Sequence, residues 1–221
     1  KDLDQMLKWS RETVTLAKDY TVQHLKELAG FGSFDSNHLS LVRADGALDL
    51  YHGQLRAITA EGKKIFDQID YQHYDQFLAE EVKPWSYMKF PFIKSLGADR
   101  GWYRVGPLAR INLCDFIDTP EAEAARRDLM AVTQGKPNNI TMAYHWARMI
   151  ELLHSIEKIK GLLHDPDLQG SDLRAEGRNR REKAVGMIEA PRGTLIHYYE
   201  VNEQDQVTRC NLIVSTTHNN T

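Results

Sequence analysis

Between Asn139 and about Leu163 the sequence carries two apolar stripes. Met142, Trp146, Met149, Leu153 and Ile156 recur at helical spacing along one face, and Ile140, Ala143, Ala147 and Ile150 along another. A surface helix needs only one such stripe, so a helix with two is wrapped by protein on most of its sides. This central helix constrains the rest of the chain more than any other feature. The remaining elements must surround it, and 221 residues that are 42% hydrophobic supply enough apolar surface to do so. Four polar side chains, His145, Arg148, Glu151 and His154, interrupt the apolar surface. Glu151 and His154 form an ExxH pair, which sets a carboxylate and an imidazole on one helical face, as in di-iron helical bundles. Such a site needs a second ExxH and two further glutamates on facing helices. The sequence has no second copy, and Asp70 to His73 is only a DxxH at a helix boundary. The competing reading is a set of buried polar groups that satisfy one another, with Arg148 paired to Glu151.

Around this helix the expected fold class is α+β, a mainly helical core with a β-meander near the N-terminus and a β-hairpin or small sheet at the C-terminus. Residues 2–29 read as one long helix, with Leu3, Leu7, Val14, Ala17, Thr21, Leu25 and Leu28 close to the 3.6 period and Gly30 as its stop. LSLVR, ALDLY and QLRAIT read as short strands, joined at Asp45-Gly46 and at His52-Gly53. Residues 71–82 read as helix, and KPWSYMKFPFI as irregular or strand because of its two prolines. Thr119-Pro120 followed by Glu121 and Glu123 reads as a helix start, with threonine as N-cap and proline in the first turn, and the helix runs to about 133. Residues 164–183 are polar, glycine-punctuated and rich in arginine, and read as a mobile loop. The expected organisation is therefore helix over 1–30, meander over 38–60, mainly helix over 71–164, flexible loop over 165–183 and hairpin over 184–216.

The totals exclude several classes of function. A net charge of −3 offers no concentrated positive field for nucleic acid. No apolar run approaches the roughly 20 residues that cross a bilayer, and the first residues lack a signal-peptide core, so a cytoplasmic chain without membrane insertion is expected. Cys114 and Cys210 are far apart and no CxxC occurs, which argues against a disulfide scaffold and a zinc ribbon. HExxH, P-loop and GxSxG patterns are missing too. The chain begins without methionine and stops just after a strand-like run, which suggests a piece of a longer protein.

One stretch asks for a more specific explanation. In EAPRGTLIHYYEV, residues 189–201, Pro191 fixes its own φ and biases Ala190 toward extended geometry, while Gly193 permits close backbone approach. Arg192 between them is either a solvated turn residue or a guanidinium aimed at something. With YRVGPLARIN at 103–112 and NLIVSTTHNN at 211–220, this stretch resembles three successive landmarks of the large subunit of [NiFe] hydrogenases. The THNN ending is similar to the cytoplasmic branch that works with soluble cofactors, particularly the bidirectional NAD(P)-linked enzymes.

The resemblance implies reversible H2 oxidation by a parent protein with a nickel–iron centre bearing cyanide and carbon monoxide ligands. The partners it implies are a diaphorase (flavin/NAD) module and an iron–sulfur small subunit. By the same resemblance, Arg192 lies over the open side of that centre as the catalytic residue, and Pro191 belongs to the backbone that contacts one cyanide. Thr216 supplies the hydroxyl for the other cyanide, and Ser215 stands where other branches have proline. The physics is compatible, since a guanidinium and a hydroxyl in a dry pocket bind anionic nitrogen well. Family members hold nickel with four cysteine thiolates from two CxxC motifs, and neither motif is present here. The chain is therefore expected to hold no metal ligands and no cofactor of its own, and to be inactive alone, as the central portion of such a protein. Two alternatives share the ancestry. One is the cofactor-coupled hydrogenase of methanogens. The other is the non-catalytic quinone-site subunit of respiratory complex I, which usually has lysine and glutamate around the glycine and is disfavoured by Arg192-Gly193-Thr194.

Overall fold

A computed structural model describes residues 2–174, 177 and 179–220. The chain opens with α1 (Asp2–Gln23) and α2 (Leu25–Gly30). These were expected as one helix, but the chain breaks at His24, where φ is −104° and ψ 16°. The β-branched Thr21 and Val22 just ahead of the break weaken helix propensity there. Leu7, Val14 and Thr21 of α1 are buried, as the apolar spacing requires.

A four-stranded sheet follows, in the order β3-β2-β1-β6. Its strands are β1 (Asn37–Val42), β2 (Gln54–Ile58), β3 (Lys64–Ile69) and, from later in the chain, β6 (Tyr103–Arg104). β1 pairs antiparallel with β2 and parallel with β6. Two expectations are corrected here. ALDLY is a connection, touching β1 and Phe116 only through isolated bridges, because Asp49 turns the chain by accepting the Tyr51 and His52 amides. The third strand is Lys64–Ile69, whose apolar alternation is broken by Gln68 at φ +53° and by shifted register against β2.

Residues 71–82, read as helix, hold only a 3₁₀ turn (Tyr71–His73) and the single turn α3 (Tyr74–Phe77) before becoming β4 (Leu78–Val82). β4 pairs antiparallel with β5 (Lys89–Ile93) over five register positions, and this pairing overrides the local helical spacing.

α4 (Pro107–Leu113) follows β6 directly, and each of its seven residues is buried. Leu108 and Ile111 join the helical core, whereas Ala109 and Leu113 pack with Val42 and Ile58 of the sheet. α4 is thus a wedge between the two layers.

α5 (Pro120–Ala131) starts at Thr119-Pro120, but the Thr119 hydroxyl makes no cap bond and lies 2.8 Å from His154 Nδ1 instead. Glu157 of the next helix caps α5, accepting the Glu121 and Ala122 amides at 3.1 and 2.9 Å. The central helix α6 (Ala143–Leu162) packs against α1, α4 and α5, and buries Ala143, Trp146, Ala147, Ile150, Leu153 and Ile156. Beyond it, the described part of 164–183 is exposed and includes a 3₁₀ turn at Pro166–Gln169. Ala175, Glu176 and Arg178 of the expected mobile loop lie outside the described residues.

The C-terminal part is a three-stranded antiparallel sheet, larger than a simple hairpin. It comprises β7 (Lys183–Ala190), β8 (Gly193–Val201) and β9 (Val207–Ile213), followed by the short α7 (Ser215–His218). Met187, Ile196 and Ile213 share an apolar core with Leu39, Leu41 and Leu55 of the first sheet. The fold is α+β. Among the described residues, no helix is long and apolar enough to cross a membrane.

Candidate functional site

The three motif segments meet at one corner of the molecule, each brought there by its own element. β7 and β8 pair as far as Ala190 opposite Gly193, which leaves Pro191 and Arg192 as the two-residue tip of a hairpin. β9 ends at Ile213, opposite Ile196, so the chain running into Ser215 and Thr216 emerges at the same end of the sheet. β6 brings Val105 and Gly106 underneath.

The first two of these segments meet with backbone close to backbone and the Val105 side chain against Gly193. Gly193 adopts φ +138°, and a Cβ there would stand 2.3 Å from Val105 Cγ2 and 2.8 Å from the Gly106 nitrogen. Gly106 adopts φ +101°, and a Cβ there would meet the Arg192 carbonyl oxygen at 2.6 Å. Neither approach is open to a residue with a side chain. The third segment docks on the same strand. The Val105 amide donates to Asn219 Oδ1 at 3.0 Å, and Tyr103 Oη lies 2.7 Å from His218 Nδ1 in a fully buried contact. Burial pushes the His218 imidazole down to about 3 and the Tyr103 phenol well above its ordinary value, so both are neutral. The Tyr144 hydroxyl of α6 donates to the Val105 carbonyl at 2.9 Å.

Arg192, Pro191 and Thr216 are all exposed at this corner. Neither the Arg192 guanidinium nor the Thr216 hydroxyl has a hydrogen-bond or ionic partner among the described residues. Ser215, at the start of α7, is buried.

Immediately below the Pro191–Arg192 tip is a cluster the sequence reading missed. Arg110, in the middle of α4 and 2% exposed, donates through Nε and Nη2 to the two oxygens of Glu151 at 2.6 and 2.7 Å. Its Nη1 donates to Glu189 Oε2 at 2.8 Å and to the Ala190 carbonyl at 3.0 Å. The other oxygen of Glu189 accepts from the Leu41 amide at 2.9 Å and from the Thr194 hydroxyl at 2.7 Å. Burial opposes the charge on Arg110, but Glu151 and Glu189 outweigh it and hold its pKa above the ordinary value. Burial pushes Glu189 up from the usual carboxylate range, against the pull of Arg110, Thr194 and the Leu41 amide. A cleft of about 280 Å³ opens beside this cluster, lined by Arg148, Leu152, Ser155 and Pro191 among others. A signal was available in the sequence: Arg110 interrupts the apolar run of Leu108, Ile111 and Leu113, and a buried arginine needs buried carboxylates.

The polar residues of the central helix are accordingly reassigned. Glu151 pairs with Arg110, and the expected Arg148–Glu151 pair is absent, because Arg110 reaches both Glu151 oxygens from inside the core. His154 turns to Thr119, and burial lowers its pKa. His145 is exposed, and Asp70 caps a turn by accepting the Gln72 amide. The ExxH and DxxH residues are not brought together. Cys114 is buried at the end of α4, with its thiol pushed up to about 12 by burial, whereas Cys210 is exposed on β9. Among the described residues, no group of three His, Cys, Asp or Glu side chains is close enough to hold a metal ion.

Comparison with known proteins places this geometry in context. Residues 26–221 match the family model described as nickel-dependent hydrogenase. The chain is 40% identical over 220 residues to the NAD-reducing hydrogenase HoxS subunit beta of Cupriavidus necator, covering 99% of this chain and 45% of that protein. It is 38% identical over 221 residues to the vhu F420-non-reducing hydrogenase of Methanocaldococcus jannaschii, covering 99% of this chain and 52% of that one. Among solved structures, an NAD+-reducing [NiFe]-hydrogenase in the H2-reduced state superposes with a TM-score of 0.93 at 50% identity, over 99% of this chain and 48% of that one. A [NiFeSe]-hydrogenase of Dm. baculatum shares the fold, with a TM-score of 0.69 at 18% identity, over 98% of this chain and 49% of that one. The chain spans about half the length of the curated relatives it matches.

Proposed function

Because the chain belongs to the nickel-dependent hydrogenase family, we propose that it is the central part of a hydrogenase large subunit that oxidises H2 reversibly and passes the electrons to NAD(P) in the cytoplasm. The partners in this reading are a diaphorase (flavin/NAD) module and an iron–sulfur small subunit. The likeness to the NAD-reducing relative and to the NAD+-reducing structure supports NAD(P) as the acceptor. A second reading, a cofactor-coupled enzyme of the methanogen type, is supported by the 38% identity to the vhu hydrogenase.

The observation that carries the proposal is the convergence of the Pro191–Arg192 tip, the Val105–Gly106 turn and the Ser215–Asn219 segment, with two donors, Arg192 and Thr216, left unspent by the chain's own acceptors. Those donors fit anionic ligands such as the cyanides of a nickel–iron centre. In this reading the Thr216 hydroxyl and the backbone at Pro191 would hold anionic diatomic ligands of the centre, and the Arg192 guanidinium would face the reacting partner. The centre supplies heterolytic cleavage of H2. Arg192 would orient the reacting partner electrostatically and by hydrogen-bond donation, since a guanidinium has no lone pair with which to take up a proton. The metal ligands come from elsewhere, since the buried, protonated Cys114 and the distant Cys210 cannot form a thiolate set. The 221-residue chain alone is expected to bind no stoichiometric nickel and to turn over no H2.

The test is made in the complete enzyme with its partner subunits. Arg192→Lys keeps a positive charge but loses the planar fork, so full metal content with about 10²–10³ lower H2-dependent NAD+ reduction is expected. Thr216→Ala should shift the infrared stretch of an iron-bound cyanide while leaving the carbon monoxide band nearly in place. Near-normal turnover by Arg192→Lys at full metal content would reduce Arg192 to a turn residue. H2 oxidation that reduces other acceptors but never NAD(P) would favour the second reading.

A further inference from the structure

The tip that carries Arg192 is gripped from below by a different arginine. Two carboxylates and a guanidinium in a protein interior are a poor source of stability, since a well-packed apolar set of the same volume is often as good or better. What the fork of Arg110 adds is direction. Its Nη1 bonds the Ala190 carbonyl at 3.0 Å while Nε and Nη2 are fixed on Glu151, so the guanidinium plane ties the last peptide of β7 to α6. The following residue is proline, with its φ already set and no amide of its own to re-aim the turn. On the far side of the tip, Gly193 lies against Val105 and Gly106 too closely to shift. Arg192 therefore stands between two fixed points: Gly193, held by packing against Val105 and Gly106, and the Ala190–Pro191 peptide, held by the hydrogen bond from Arg110.

We propose that Arg110, clamped by Glu151 and Glu189, is the positioning residue of this corner: it fixes the Ala190–Pro191 peptide and thereby sets where the Arg192 guanidinium points. Glu151 is the anchor on α6. Glu189 is the anchor on β7, and it also locks Thr194 and the Leu41 amide of the first sheet to the same point. The role depends on the reading of Arg192 given above, but it concerns geometry rather than chemistry, and Arg110 need not touch the reacting atoms.

A double-mutant cycle in the complete enzyme separates this from general damage to the fold. Arg110→Lys retains the charge but cannot span Glu151, Glu189 and the Ala190 carbonyl at once. It should keep metal content and KM for H2 while lowering kcat by about 10- to 100-fold, the scale of a misplacement near 1 Å. Amide exchange at Arg192 and Gly193 should quicken, with exchange in α6 unchanged. The decisive corner is Arg110→Lys combined with Arg192→Lys, which should be no slower than Arg192→Lys alone to within about twofold, because the first change acts only through the second residue. Multiplying losses would overturn the positioning role while leaving the reading of Arg192 intact. A wild-type rate in Arg110→Lys would overturn it as well. A wild-type rate in Arg192→Lys would bring down both. If Arg110→Lys does not assemble, Glu151→Gln takes its place, leaving the Glu189 arm in position; a smaller loss with the same non-additivity is expected, and additive losses reject the proposal.

Discussion

Gly193 shows how much one missing side chain decides at this corner. Its φ of +138° is strained for any L residue, and the 2.3 Å and 2.8 Å approaches leave no space for a methyl group. Gly193→Ala should therefore cost about 2–4 kcal/mol, combining backbone strain with overpacking. Gly186, in the same hairpin, has nothing within 4 Å of where a Cβ would stand, and Gly186→Ala should stay within about 0.5 kcal/mol of the parent. Equilibrium denaturation of both variants checks this, and equal losses would mean that the contact with Val105 and Gly106 is looser than described. The need for glycine after Arg192 was legible in the sequence, because Pro191 and Gly193 bracket the arginine. What Gly193 approaches was not, since Val105 and Gly106 come from a different element. The same holds for Arg110. Its oddness among apolar neighbours was visible, whereas its two partners, on α6 and β7, were not.

At the scale of elements, periodicity succeeded where one helix face sets the pattern and failed where a partner does. The two stripes of α6 and the Thr119-Pro120 start of α5 were readable because spacing and local backbone chemistry decide them. β3 and β4 were missed, since bulged register and pairing with a later strand outweigh local preference. The α5 cap makes the same point in energetic terms. Thr119 is in the capping position, yet the amides of Glu121 and Ala122 are satisfied by Glu157 from α6. Glu157→Ala should lower stability by about 0.5–2 kcal/mol, the usual worth of a cap. Glu157→Gln should recover about half of that, because only one of its two terminal atoms still accepts. Urea denaturation of the pair is the check, and a neutral Glu157→Ala would return the cap to solvent.

For the molecule as a whole, two buried histidines link the fold to pH. His38, bonded to Asn139 Oδ1 and close to Arg104, is held down to about 4 by burial, and His218 to about 3. Both folded values lie below the ordinary 6.5, so the unfolded chain binds more protons and stability falls as pH drops below about 6.5. The loss continues until pH approaches the folded values, with a slope of at most about 1.4 kcal/mol per pH unit for each histidine. Urea midpoints at pH 7 and pH 5 should therefore differ clearly, with His38→Gln flattening part of the slope. A flat profile would mean that these rings are hydrated. The α+β class and the covered central helix were legible because apolar spacing reports which faces must be covered. The burial of His38 and His218 was not, since each is enclosed by segments distant in sequence.

The contact between Tyr103 and His218 joins residues 115 positions apart, and Val105 meets Asn219 across 114. Closing a loop of that length costs about 4 kcal/mol in chain entropy beyond a constant, a cost that only already folded surroundings can offset. The pairing of α5 with α6 and the local hairpins β1–β2, β4–β5 and β7–β8 close far shorter loops and so form first. The corner carrying Arg192 is then among the last parts of the chain to come into existence as it folds, and the first to be lost when the C-terminal segment lets go.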